Sequence, residues 1–189
     1  TLYSNLIQTL DQEQFFKVLC KEVRSTLKSD RITASIFSND GHSTLVYSNK
    51  KIGKLNVRKK QLSVESHVTR SQKAYFSNSA SRDPMFSDGA NDKINSELCF
   101  PLVVAETVMG CINLQNCDDK TFSKLDIEQI SSIMEEIKTP LENLKIFLSA
   151  KEWNEVLLSK IEEKESESSV EKKKDVSKKF KIHLPEIIG

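Results

Sequence analysis

Apolar residues along 2–28 recur at spacings of three and four, which is the period of an amphipathic helix. Asp11, followed three positions later by Gln14, is typical of a helix N-cap and its capping partner. The pattern therefore predicts a leading helix to about residue 10 and a second helix over 12–28.

Strand-like alternation replaces the helical period after this point. The stretch 31–40 alternates and is rich in β-branched residues, and 43–50 is predicted as its return strand. Asn39–Gly41 between them is a hairpin signal, so we expect an antiparallel pair. Residues 62–72 then predict a short amphipathic helix, and 74–78 a short strand.

A long polar loop and the strongest hairpin signal of the sequence follow. The stretch 79–96 predicts a loop, and loops of that length inside compact domains are usually functional. Strands over 96–104 and 107–116 come next, and a helical pattern resumes at Phe122 and continues to about residue 161. The order predicts an α+β fold with a central antiparallel sheet of about six strands flanked by helices and a long C-terminal helix.

Composition and charge narrow the function classes. The 189 residues carry a net charge of +1, so no overall field favours nucleic acid or an anionic membrane. The longest apolar runs fall far short of the roughly 20 residues that a membrane-spanning helix needs. The missing initiator methionine suggests a fragment of a longer protein.

The cysteines and histidines indicate neither a disulfide framework nor a metal site. Cys20, Cys99, Cys111 and Cys117 form no C-x-x-C pair, and the three histidines lie far apart in the sequence. We therefore expect a reduced, cytoplasmic chain without a bound metal or cofactor.

Five stretches of the chain resemble segments of one known family of domains. SHVTRSQKAYFSNSASRDPMF (66–86) is similar to their helix, short strand and D-P-x-F loop. SELCFPLVV (96–104) and VMGCINLQN (108–116) resemble their last two strands, and TFSKLDIEQI (121–130) with PLENLKIFLSAKE (140–152) their last helix. The family that these stretches resemble is that of GAF domains, which are sensory and regulatory domains. The resemblance covers about residues 10 to 150 and implies a GAF-like fold.

The resemblance also implies a cavity for a small ligand between one face of the sheet and the helix and loops above it. The alternative is a structural role for each candidate, with Asp83 capping the turn at Pro84, Arg82 solvated and the phenylalanines in the core. The candidate pocket residues are Ser35, Phe37, Phe76, Asn78, Arg82, Asp83, Phe86, Ser96, Cys99 and Asn113.

Cyclic nucleotides are the best-known ligands of the family, and their binding subset resembles N-K-x(n)-F-x-x-x-D-E. Asn116, Phe122 and Asp126 fit that pattern, but Cys117 replaces its lysine and Ile127 its glutamate. The Lys–Asp pairing that the motif implies cannot form here, so cyclic-nucleotide binding is kept only as an alternative.

Two kinds of catalysis would each require residues that the chain lacks at the corresponding positions. A methionine-sulfoxide-reducing branch of the family uses clustered cysteines in the loop that corresponds to 77–96, and here that loop holds none. The stretch 135–144, EEIKTPLENL, resembles the phospho-acceptor helix of bacterial sensor kinases, but Glu135 stands where the histidine would be. Cysteines at strand positions are usually inert. We expect no enzymatic activity.

The C-terminal helix predicts self-association. Its apolar residues from Ile130 to Leu148 follow a heptad-like spacing, and Pro140 should bend or interrupt it. Beyond about residue 149 no sheet remains to cover its apolar side chains, which are Trp153, Val156, Leu157 and Ile161. We predict a homodimer in which this helix and the leading helix, residues 1–10, form a bundle.

The chain divides into four predicted parts. Residues 1–150 form the GAF domain, 149–165 a signalling helix, 166–182 a charged linker, and 183–189 the start of a following output domain. The last residues, FKIHLPEIIG, resemble the beginning of the AAA+ module in bacterial enhancer-dependent transcription activators. A cyclase, phosphodiesterase or kinase output is the alternative.

The predicted function is that of a cytoplasmic sensory domain that binds an unidentified small molecule. Occupancy would change the geometry of the dimeric helix and so control the output domain, which is expected to activate transcription. No nucleic acid or membrane contact is expected from this fragment. The alternatives are a ligand-free structural dimerisation module and a cyclic-nucleotide-binding regulator of a cyclase or phosphodiesterase.

Overall fold

The computed structural model describes residues 1–37, 43–50, 64–85 and 94–179, with side chains to residue 164. The chain divides into two compact units, Thr1–Ile146 and Phe147–Gly189, each of which is described by itself. The described helices are α1 (Leu2–Leu6), α2 (Gln12–Leu27), α3 (Val64–Ser71), α4 (Lys124–Glu136) and α5 (Lys138–Lys179), with a short 3-10 helix at Ala80–Arg82.

A single antiparallel sheet organises the first unit. Its described strands are β1 (Arg31–Phe37), β2 (Ser43–Ser48), β3 (Tyr75–Ser77), β4 (Ser96–Val104) and β5 (Thr107–Asn116). They lie in the order β2-β1-β5-β4-β3, and every neighbouring pair is antiparallel. The predicted α+β architecture is confirmed, with five strands in the described part of the chain where the sequence suggested about six.

Local sequence signals explain where the helices begin. The Asp11 side chain accepts a hydrogen bond from the amide of Gln14 at 2.7 Å, which confirms the predicted N-cap of α2. At α4, Ser123 and Asp126 form a reciprocal capping box, with the Ser123 amide donating to Asp126 Oδ2 at 2.6 Å. Both caps satisfy backbone groups that a helix end otherwise leaves without a partner.

The hairpin of β4 and β5 is closed by a two-residue turn, as predicted. Ala105 and Glu106 have φ angles of 48° and 62°, the left-handed values that the tightest hairpin turns require. The bounds of both strands match the prediction. The turn predicted at Asn39–Gly41 between β1 and β2 lies outside the described residues.

One face of the sheet packs against α2 and carries the main core. This α2 face is defined by the buried residues Ile32, Ala34, Leu98, Ile112 and Leu114. The side chains of α2 that are fully buried within the unit are Phe15, Phe16, Leu19, Cys20 and Val23. Leu6 of α1 is also fully buried within this single chain.

The helical segment after β5 is interrupted, as expected from the presence of Pro140. Between α4 and α5, Ile137 adopts φ −95° and ψ 6°, outside helical geometry, and Pro140 falls in the first turn of α5, where its missing amide is tolerated. Helix α5 extends to Lys179, so residues 166–179 of the predicted linker are helical. None of the described helices combines the length and apolar character needed to cross a bilayer.

Candidate functional site

The opposite face of the sheet is covered by α3 and carries the candidate site. This α3 face is defined by Ser35, Phe37, Glu97, Cys99, Cys111 and Asn113, which alternate with the α2-face residues along β1, β4 and β5. In register, Ser35 lies opposite Cys111, and Cys99 opposite Asn113. The strand register therefore places four of the predicted pocket residues, Ser35, Phe37, Cys99 and Asn113, on one face of the sheet.

A small apolar cluster lies between α3 and this face. Its buried members are Val64, Val68, Ala80, Cys99 and Cys111, with Phe37, Tyr75, Met85 and Ile94 packed around them. His67 of α3 adds an edge-to-face ring contact with Tyr75, with ring centroids 5.1 Å apart. The cluster holds α3 onto the sheet at the place where the sequence predicted a pocket.

A buried carboxylate adjoins this cluster. Glu97 is only 6% exposed, and its Oε1 accepts hydrogen bonds from Asn113 Nδ2 at 2.5 Å and Gln115 Nε2 at 2.9 Å. No described cation pairs with it. The Asn113 Oδ1 atom is also buried and accepts no hydrogen bond from the described residues. The Glu97 carboxylate and Asn113 Oδ1 thus place acceptor atoms on the α3 face, where Arg31, opposite Gln115, also lies.

Two further carboxylates, Glu65 and Asp83, make the electrostatic potential at Glu97 more negative. Burial raises the pKa of Glu97, the charges of Glu65 and Asp83 add to that rise, and the two amide hydrogen bonds oppose it. Burial also raises the pKa of Glu65 on α3, and a hydrogen bond from Ser43 partly opposes this rise. Among the described residues, no group of three or more histidine, cysteine or acidic side chains could hold a metal ion.

The two cysteines of the α3 face are packed against each other. A hydrogen bond with Cys111 and burial together raise the pKa of Cys99 well above its ordinary value. Such a thiol stays protonated near neutral pH and is a poor nucleophile. Cys117 lies outside the cluster, and its backbone amide donates to Asp30 Oδ2 at 2.8 Å.

Asp83 has a structural role beside the site. Its Oδ1 accepts from the backbone amide of Met85 at 3.0 Å, so it caps the turn at Pro84 as the structural alternative proposed. Its Oδ2 accepts from the Tyr75 hydroxyl at 3.0 Å. Arg82 is exposed, and Phe86 lies outside the described residues.

Three predicted pocket residues are placed elsewhere. Phe76 lies opposite Leu98, hence on the α2 face, and is 38% exposed; its neighbour Tyr75 takes the position on the α3 face. Ser96 lies two residues before Leu98 on β4 and therefore also belongs to the α2 face. Its hydroxyl donates to the Lys120 carbonyl at 2.7 Å. Asn78 is used in two hydrogen bonds with the backbone of Phe122, at 2.8 and 2.9 Å.

Sequence reasoning missed Glu65, Glu97 and Gln115. A signal for Glu97 was available, because it has the same strand parity as Cys99 and is a charged residue inside an otherwise apolar strand. Gln115 could have been placed on the same face, because it lies two residues after Asn113 on β5. Glu65 had no such signal, since the docking of α3 on the sheet depends on tertiary packing.

The residues that fit the cyclic-nucleotide pattern have structural roles in the fold. Asp126 completes the capping box of α4, and Phe122 is buried. Asn116 Nδ2 donates to the Ser96 hydroxyl at 3.1 Å. The pattern is therefore explained by local folding.

Comparisons with known proteins agree on the fold. The model of the GAF domain family matches residues 11–139. The GAF domain of Acinetobacter phosphoenolpyruvate-protein phosphotransferase aligns with a TM-score of 0.63 at 15% identity, over 77% of this chain and 90% of that one. A free methionine-R-sulfoxide reductase from Neisseria meningitidis aligns with a TM-score of 0.66 at 9% identity, over 76% and 86%.

A methyl-accepting chemotaxis protein gives a similar result. Its TM-score is 0.64 at 12% identity, over 77% of this chain and 98% of that one. No curated protein matches the sequence. Because the family model spans more than half of the residues, the chain belongs to the GAF domain family.

Proposed function

We propose that this GAF domain is a sensor for a small molecule that carries an ammonium or similar cationic donor group. The observation that carries the proposal is Glu97, a buried carboxylate on the α3 face whose only described hydrogen bonds come from two neutral amides. An ionised carboxylate is costly to bury without a cationic partner. A bound ammonium would supply that partner.

The surroundings of Glu97 favour a cation over an anion. Glu65 and Asp83 raise its pKa through their charges, and Asn113 Oδ1 offers a further acceptor without a described donor. A cyclic nucleotide would bring its phosphate towards these carboxylates, which disfavours that alternative. Occupancy would act by population shift, through a difference in affinity between two arrangements of the domain.

A ligand panel tests this preference. We expect primary amines and amino acids to raise the midpoint of thermal unfolding, and cyclic nucleotides to leave it unchanged, because only the former can neutralise Glu97. Differential scanning fluorimetry at pH 8 provides the measurement, with each amine compared with its acetylated, uncharged form. A shift produced only by cyclic nucleotides, or equally by acetylated amines, would contradict the proposal.

A ligand-free structural module is the second candidate. The packing of Val64 and Val68 on Cys99 and Cys111 favours it, because these side chains occupy part of the space beneath α3. Absence of a shift with every compound of the panel would select this reading. In either case the proposed role is not enzymatic.

Signal output is proposed to use a homodimer. In the unit Phe147–Gly189, Trp153 is 68% exposed and Leu157 53%, with Val156 and Ile161 similarly open. A second copy of the chain would cover this stripe. The proposed location is the cytoplasm, and the proposed output is activation of transcription.

Light scattering tests the dimer. We expect the full chain to have the mass of a dimer and a chain truncated after Ala150 to be monomeric, because the truncation removes the exposed stripe. Leu157→Glu should also give monomers, whereas Ser159→Glu, on another side of the same helix, should not. A full chain that stays monomeric at high concentration would refute the dimer.

A further inference from the structure

A second candidate site lies on the other side of the sheet. A cleft of about 780 Å³ is lined by residues from the C-terminal part of α2, the connection to β1 and the end of β2. Tyr47, which lines it, pairs with Ala34 and therefore lies on the α2 face. The cleft is thus separate from Glu97 and the α3 face.

Positive charge dominates the cleft. Lys21 and Arg24 are spaced three residues apart, which places them on one side of α2, and Lys28 is the C-cap residue that follows the helix. The three form no ion pair with the described residues. A helix C-terminus favours cations, so these positions are compatible with a stable helix. Three cations on one wall, without an ion partner among the described residues, favour an anionic ligand.

The acidic residue that lines the cleft, Asp30, is hydrogen-bonded and shares a cation with a second carboxylate. Lys120 pairs with Asp118 at 3.0 Å and with Asp30 at 3.2 Å, and Asp30 also accepts from the Cys117 amide at 2.8 Å. The Cys117 hydrogen bond is the main cause of its lowered pKa, with Lys120 adding to it. Lys120 is thus shared between two carboxylates, and the positive charges of Lys21, Arg24 and Lys28 set the sign of the field in the cleft.

A buried hydroxyl without a partner points to the same place. Ser29 lines the cleft and is 3% exposed, yet its Oγ has no hydrogen-bond partner among the described residues. Buried polar atoms are rarely left unpaired, so such an atom calls for an explanation. Arg24 Nε donates to the backbone carbonyl of the same residue at 3.1 Å, so the guanidinium is held at Ser29.

We propose that the cleft binds the phosphoryl group of a small soluble molecule. A phosphoryl dianion offers several acceptor oxygens, which matches two flexible ammonium groups, the remaining guanidinium donors and the Ser29 hydroxyl. A planar carboxylate has only two oxygens and would leave donors unused. The volume also lies in the range of about 300–1,000 Å³ that is common for small-molecule sites.

Titration with inorganic pyrophosphate tests the cleft in the full chain. We expect saturable binding by calorimetry at fixed ionic strength, weakened about tenfold or more in the double variant Lys21→Gln, Lys28→Gln, because charged hydrogen bonds are lost. The control is Lys17→Gln, Lys124→Gln, which removes the same charge from exposed positions outside the cleft. No saturable binding, or equal weakening in both variants, would overturn the proposal.

A second variant tests the buried hydroxyl. Ser29→Ala removes one oxygen and should weaken pyrophosphate binding several-fold while leaving the urea midpoint unchanged or higher, since the hydroxyl has no described partner to lose. Wild-type affinity in Ser29→Ala would overturn the assignment of this hydroxyl. Glu97→Gln should retain pyrophosphate binding, so this test is independent of the α3 face.

Discussion

A Gly110→Ala variant is expected to lose about 3 kcal/mol of the free energy of unfolding, because the added methyl group overpacks the centre of the sheet. A Cβ at Gly110 would lie 2.2 Å from the carbonyl oxygen of Ser35 and 3.0 Å from Cα of Ile36. Both atoms belong to the backbone of β1, so no side chain can rotate away. The strands would have to separate.

The position of β5 makes this clash severe. Gly110 pairs with Ile36 on one side and Leu102 on the other, so neither neighbouring strand can move without disturbing the sheet. Typical domains are stable by only 5–15 kcal/mol, so this loss is a large fraction of the total. Glycine inside a strand often marks such a close backbone approach.

Urea denaturation followed by circular dichroism measures the effect. Thr107→Ala is the control, since it changes an exposed residue of the same strand and should alter stability by no more than about 0.5 kcal/mol. If Gly110→Ala matched this control, the described approach of β1 and β5 would be wrong.

The parts of the fold that the sequence predicted well depend on local signals. The bounds of β4 and β5 follow from alternation on both sides of Ala105–Glu106, and α2 from its apolar period and the Asp11 cap. The break before α5 follows from Pro140. Each of these signals acts within a few residues, so one sequence is enough to identify it.

The site was predicted less completely because it depends on which segments meet in space. Strand parity identified Cys99 and Asn113, and applied consistently it also excludes Ser96 and includes Glu97. Asn78 and Asp83 looked like ligand contacts because polar loop residues often are, but backbone groups of the same domain take up their hydrogen bonds. The cap by Asp83 was indicated by the Pro84 that follows it, whereas no sequence pattern indicates that Asn78 pairs with the distant backbone of Phe122.

Glu97→Gln is expected to weaken binding of a cationic ligand by about 30-fold or more, since truncating one member of a buried charge pair typically costs at least 2 kcal/mol. The amide keeps the size of the side chain and can still accept from Asn113 and Gln115, so the shape of the α3 face is retained. Calorimetry with the amine that gives the largest thermal shift measures the loss. Glu128→Gln, on the exposed side of α4, is the control.

The same substitution should make the unliganded domain more stable at neutral and alkaline pH. Burial raises the pKa of Glu97 above its ordinary 4.5, so the folded state retains a proton that the unfolded state has released. The free energy of unfolding of the wild type therefore falls as pH rises from 4.5 through the raised pKa. Glutamine imitates the protonated acid and escapes this fall.

Urea denaturation at two pH values separates this effect from simple damage. We expect Glu97→Gln to equal the wild type at pH 4 and to exceed it at pH 8, while its affinity for the amine is reduced at pH 8. A carboxylate retained for binding at the expense of stability produces this combination. A variant less stable than the wild type at pH 8, or one that binds the amine normally, would show that Glu97 serves the fold and not a ligand.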